Sequence, residues 1–255
     1  MPEIQKHWLS NNHYWLSFFI GAGFLAVVQT AVGVVFKPSR FFLLIFLYIL
    51  AVFFYNKAYL QKLGQYSFYK ALRLPLLILA GAVVFAIIPT PFLRALFLVV
   101  STAVVGFFQS TVGSFSENLL LNETLVSSFG VFMGFTAWAY LYTPQNRFYV
   151  SWVVFLSVFL MSRIFFEYTT ASEKAKLVSS LAVSLLMAEI FWSAGFLPQH
   201  YSTLALGLTA LYYLSVVVNY NFLFSNLDFK KIQFNLIFVL ICLGLVLIST
   251  PWRMV

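Results

Sequence analysis

Long apolar runs alternate with short polar interruptions along the whole chain, and the lengths of the runs set the expected architecture. Nine segments are apolar, with approximate spans 14–36, 41–56, 73–88, 92–112, 125–143, 148–168, 177–197, 201–222 and 232–250. Most are roughly 18–22 residues long, enough for a helix rising ~1.5 Å per residue to cross a hydrocarbon layer about 30 Å thick. None shows the two-residue alternation of a barrel strand. Lipid offers the backbone no hydrogen-bond partners, so a spanning segment has to satisfy its own, and helices do so within one segment. The pattern therefore predicts an all-α fold, a multi-pass transmembrane helical bundle of about nine helices. The second and third runs are the shortest, and whether the third spans fully stays open. No linker divides the chain, so residues 1–255 are expected to form a single integral membrane domain.

Composition agrees with the pattern. The chain is 62% hydrophobic and 9% charged, with a mean hydropathy of +0.93, whereas a soluble domain is about half apolar and about a quarter charged. The first fourteen residues are polar, hold one lysine and offer no small-residue cleavage site, so the first helix is expected to be retained. Asn122-Glu123-Thr124 matches a glycosylation sequon, a triplet common by chance.

Charge sets an orientation. Lys6, Lys57, Lys62, Lys70, Arg73, Arg163, Lys174, Lys176, Lys230 and Lys231 fall on the N-terminal side, ten in all. Lys37, Arg40, Arg94, Arg147 and Arg253, five in all, fall on the other. Cytoplasmic loops carry the excess of Lys and Arg, so the chain is expected in the cell membrane with its N-terminus cytoplasmic and its C-terminus outside. The loop at 113–124 fits least well, because it holds two glutamates and no cation on the inner side. The segment Asn56–Leu74 carries four cations, three tyrosines and Phe68. It reads as an ordinary cytoplasmic loop or as a short interfacial helix held to anionic lipid. The expected partners are membrane lipids, including anionic headgroups at the cytoplasmic face. Topology accounts for the net charge of +8, and no nucleic-acid partner is needed.

The outer turns share a spacing. Pro38, Pro91, Pro144, Pro198 and Pro251 are separated by 53, 53, 54 and 53 residues. Arg40, Arg94, Arg147, His200 and Arg253 follow within three positions, each with an aromatic close by (Phe41, Phe92, Phe148, Tyr201 and Trp252). Proline suits the end of one helix and the first turn of the next, and aromatics and cations suit the headgroup level. The pattern fits a tandem two-helix repeat of about 53 residues. It fits equally a uniform bilayer thickness joined by short turns.

Chemistry within a membrane shows as ionisable groups at depth. Glu189, eight residues from the outer end of its run, lies about 12 Å in. Trp192 and Ser193 share its helical face. Cost predicts that this carboxyl faces protein or a cavity rather than lipid. Gln29 stands nine residues before Pro38 as Glu189 stands nine before Pro198, so the two share a register. Together Glu189, Gln29, Trp192 and Ser193 form the candidate substrate-binding set; the competing reading is that they are separate helix–helix hydrogen bonds. Arg163 is expected to pair with Glu167 one turn away, as a structural pair, rather than with Glu189.

What is absent narrows the chemistry. The single cysteine, Cys242, allows no internal disulfide and no cysteine metal site, and the single aspartate, Asp228, excludes Asp-rich metal motifs. His13 and His200 fall on opposite sides of the membrane. No serine-hydrolase elbow, zincin motif or nucleotide-binding glycine loop occurs. No catalytic residues, cofactor or metal are expected. The favoured reading is a transporter or permease-like protein for a small solute or lipid. A non-catalytic membrane scaffold or assembly component is the alternative, and a membrane-embedded lipid-processing enzyme comes third.

Overall fold

The computed structural model describes residues 38–88, 90–111, 117–141, 147–194 and 200–223, and parts of 17–28 and 233–248. Among the described residues the chain is helical with no strands. Seven helices are defined by their ends: α1 (Pro38–Lys62), α2 (Phe68–Ile87), α3 (Pro91–Ser110), α4 (Glu117–Leu141), α5 (Arg147–Phe166), α6 (Glu173–Ala194) and α7 (Tyr201–Leu223). Six of them are long and apolar enough to cross a membrane; α4 is the one outside that set. The described residues within 17–28 and 233–248 are helical as well. The third apolar run, the least secure from sequence, becomes α2, which is 20 residues long with a mean hydropathy of 2.0 over its spanning window.

The chain divides into two compact units, Met1–Leu119 and Leu120–Val255. In the first, α2 packs between α1 and α3. Phe41, Ile45 and Val52 from α1, Leu74, Ile78 and Phe85 from α2, and Leu98, Val105 and Phe108 from α3 share one core with Phe24 and Val28. The helical stretch at 17–24 meets α3 at very short range. A Cβ placed on Gly21 would lie 2.9 Å from the Thr102 carbonyl oxygen and 3.4 Å from the Gly106 Cα, so only glycine fits. Ser17 and Gly21 on one side, and Thr102 and Gly106 on the other, form two small-xxx-small stripes, the arrangement by which helices approach in lipid. The Tyr48 hydroxyl of α1 donates to the Ile20 carbonyl and ties in the third helix.

The α1–α2 connection is short because the helix stops cleanly. Gly64 adopts φ +67, the left-handed region glycine enters without a Cβ penalty. Gln65 N–H donates to the Leu60 carbonyl (3.0 Å) and Gly64 N–H to that of Gln61 (3.1 Å), a Schellman closure. No separate interfacial helix forms between Asn56 and Leu74; the segment is the end of α1, this turn and the start of α2. Two of its polar residues are interior: Asn56 is fully buried and Arg73 is 5% exposed.

In the second unit, α5 and α6 form the closest pair, an antiparallel hairpin, and α7 packs against α6. Ser172 caps α6 by accepting the Ala175 N–H at 3.3 Å, and Glu173 in the first turn suits the positive end of the helix. Helix α4 begins eight residues before the expected 125 and takes in part of the acidic loop at 113–124. Glu123 of that loop is 3% exposed, so one of the two glutamates that disturbed the charge pattern lies inside the protein.

Both units have an apolar core, bury several polar side chains beside it, and also expose many large apolar side chains. On α6 the buried face is Lys176, Ser179, Ser180, Val183, Ser184, Met187 and Phe191. Its hydroxyls are satisfied within the helix: Ser180 donates to the Lys176 carbonyl (2.8 Å) and Ser184 to that of Ser180 (2.6 Å). The opposite face exposes Leu177, Val178, Leu181, Leu185 and Leu186. In α3 likewise Ser101 and Gln109 are buried while Phe92, Leu96, Val99 and Phe107 are exposed. So large an exposed apolar surface, on helices long enough to span a bilayer, is compatible with a membrane-embedded chain.

Candidate functional site

Glu189 belongs to the outward stripe of α6, not to its serine-lined inner face. Helical geometry carries Trp192 and Ser193 with it, three and four residues on, and both are exposed. The stripe does not simply meet lipid. Where α6 runs beside the first turns of α5, the two helices leave a groove of about 480 Å³. Ser151, Trp152 and Phe155 form its α5 wall, and Leu185, Ala188, Glu189, Trp192 and Ser193 its α6 wall. Its volume falls in the range of about 300–1,000 Å³ typical of small-molecule sites. Glu189 lies five residues before Ala194, about 8 Å in from the last described turn of α6. Trp152 lies five residues after the start of α5, at matching height in the antiparallel pair.

Among the groove residues Glu189 alone ionises, and it makes no hydrogen bond or ion pair among the described residues. Glu189 is an exposed acidic side chain in the wall of an otherwise largely aromatic and aliphatic groove. The walls supply two indole faces and two hydroxyls, a set that binds and orients. Among the described residues no three His, Cys, Asp or Glu side chains gather to hold a metal ion.

The other residues singled out from sequence are placed as follows. Gln29 lies outside the described residues. Arg163 is 5% exposed and pairs with Glu167 at 2.8 Å. It also pairs with Glu173, which in turn holds Lys176 at 3.0 Å. These four groups, two cations and two carboxylates, join both sides of the α5–α6 turn at the end opposite the groove. Ser162, beside Arg163, donates to the Tyr212 hydroxyl at 3.4 Å, and Tyr212 and Phe132 meet edge-on with centroids 6.0 Å apart.

Two buried amides escaped the sequence reading. Gln109 of α3 donates through Nε2 to Oδ1 of Asn56 in α1 at 2.9 Å, with both residues fully buried. Asn56 stands 18 residues after Pro38 and Gln109 18 after Pro91. Ser162, also fully buried, stands 18 after Pro144. The proline ruler that linked Gln29 to Glu189 would have found this register had it been run forward from each proline as well as backward.

Comparison with protein-family models, characterised proteins and solved structures finds no match for this chain.

Proposed function

We propose that this chain is a transporter or permease-like protein of the cell membrane, acting on a small solute or lipid, with the α5–α6 groove as its polar site. The observation that carries this reading is the position of Glu189. An acidic side chain on a largely apolar stripe is expensive in lipid, and it stands in a groove of ligand size. Trp192 and Ser193 complete the α6 side of the site, and Gln29 is proposed to serve at the equivalent register of the first helix. In the same reading the N-terminus is cytoplasmic, the C-terminus is outside, the basic α1–α2 turn meets anionic headgroups, and the helices derive from tandem hairpins. The shared register of Asn56, Gln109 and Ser162 supports that last point.

The test is transport by the purified chain in liposomes. Dithionite access to fluorescent phospholipids reads lipid exchange, and vesicle swelling reads solute entry. The wild type should accelerate one of the two over protein-free vesicles, and Glu189→Gln should abolish most of that gain while keeping expression and helix content. Protein-free rates in both assays would refute the transport reading and leave the scaffold reading. That second reading draws on internal contacts such as Asn56–Gln109 and Ser162–Tyr212, which hold helices together and present nothing to a ligand.

A further inference from the structure

The groove is specific in its chemistry. Its one ionisable wall residue is an acid, so an anionic ligand is repelled and a cation is drawn in. Trp152 and Trp192 stand on opposite walls beside Glu189, and tryptophan is the side chain whose ring face best attracts an organic cation. Phe155, Leu185 and Ala188 line the remainder, with no polar atoms in their side chains. Beyond the groove the exposed stripe continues through Leu181 and Val178, away from the Ala194 end of α6. From Glu189 to Val178 the axial run is 11 residues, about 16 Å. A charged, aromatic head region thus leads into a continuous apolar track.

Resting on the reading of this groove as a substrate site, we propose that its ligand is a single-chain cationic amphiphile. An aliphatic ammonium headgroup lies between Trp152 and Trp192 against the Glu189 carboxylate, and its alkyl chain follows Leu185, Leu181 and Val178. The carboxylate selects the sign of the charge, and the indoles select an ammonium over a compact, strongly hydrated metal cation. Ser151 and Ser193 at the edges suit hydrogen bonding to water or to a hydroxyl near the headgroup. The groove, at about 480 Å³, holds a headgroup and the start of one chain rather than a whole two-chain lipid.

Binding is measured apart from transport, so that failure of one does not imply failure of the other. The protein in nanodiscs of zwitterionic lipid is titrated with dodecyltrimethylammonium below its micellar concentration, with dodecyl sulfate and tetramethylammonium in parallel. Tryptophan fluorescence and a radiolabelled probe report occupancy. The expected result is saturable binding of dodecyltrimethylammonium at least about tenfold tighter than of either comparison. Glu189→Gln and Trp192→Leu should each weaken it by about tenfold, and Lys174→Gln, at the far end of α6, should leave it unchanged. If either groove variant fails to fold, the ranking of the three probes on the wild type still decides. Equal binding of dodecyltrimethylammonium and dodecyl sulfate, or undiminished binding by a folded Glu189→Gln, overturns the proposal. So does a second copy of the chain occupying the groove, seen as a dimer that Glu189→Gln disperses and the amphiphile does not. Cation-selective binding without any flux upholds the ligand assignment while the transport reading fails.

Discussion

Gln109 and Asn56 share a hydrogen bond of 2.9 Å across 53 residues of sequence, the same interval that separates Pro38 from Pro91. A helix thus bonds the helix two along the chain. Interhelical hydrogen bonds in membranes are worth about 0.6 kcal/mol on average and up to about 1.7. Asn56→Leu and Gln109→Leu should each destabilise the fold by about 1 kcal/mol, and the double variant should cost less than the sum. Unfolding in mixed micelles measures all three, and strictly additive losses would show that the contact contributes nothing.

Gly21 sits where a methyl group has no room. Its would-be neighbours are the backbone of Thr102 and Gly106, which cannot swing aside. Gly21→Ala should therefore cost about 1–3 kcal/mol by overpacking. Gly81 provides the comparison, because a Cβ there meets only the tip of the Phe24 ring at 3.8 Å. Gly81→Ala should be neutral or slightly stabilising, and similar melting shifts for the two variants would contradict the close approach.

The charged cluster at the α5–α6 turn should respond according to burial. Arg163 has a 6% exposed side chain and Glu173 one that is 70% exposed. Breaking a buried pair costs about 3–5 kcal/mol, while an exposed partner contributes about 1 kcal/mol or less. Arg163→Leu should accordingly lower stability far more than Glu173→Gln, with Glu167→Gln between them. Thermal unfolding of the three variants gives the order, and a larger loss for Glu173→Gln would reverse the assignment.

Orientation is open to direct measurement. Reporter fusions at residues 145 and 172 should lie outside and in the cytoplasm respectively, as the ten-to-five division of Lys and Arg requires. The opposite pattern would invert every statement about outer and inner ends.

The helix centres were legible in the sequence because a membrane imposes one length on every spanning run. The starts at Pro91, Arg147 and Tyr201 were legible to within a residue, but those with polar first turns were not. Helix α4 opens with Glu117, Asn118, Asn122 and Glu123, which look like a loop to any hydropathy average, yet Glu123 is buried. Asn56 and Arg73 stood at the edges of their apolar runs, where hydropathy does not tell a buried polar residue from a loop. The face on which Glu189 lies was half legible. A rotation of about 100° per residue places Trp192 and Ser193 beside it, but gives no absolute direction. Cost argued for a carboxyl facing protein or a cavity; Glu189 lines the α5–α6 groove, while Ser180 and Ser184 lie on the buried face of α6. The groove arises from the pairing of α5 with α6 and brings together Trp152 and Glu189, 37 residues apart, with no local signal in either helix.

Most of the residues lining the groove are exposed on the apolar face of the α5–α6 pair, and that changes how a ligand would reach it. An amphiphile dissolved in the bilayer arrives by sliding in the plane of the membrane, a two-dimensional search among crowded lipid neighbours. The quantity that sets occupancy is then its mole fraction in the leaflet, not its concentration in water. Affinity need only exceed that of the surrounding lipids for the same groove, so a site of modest strength fills readily when the leaflet is enriched. Changing the host lipid would therefore shift the apparent affinity as surely as changing Glu189.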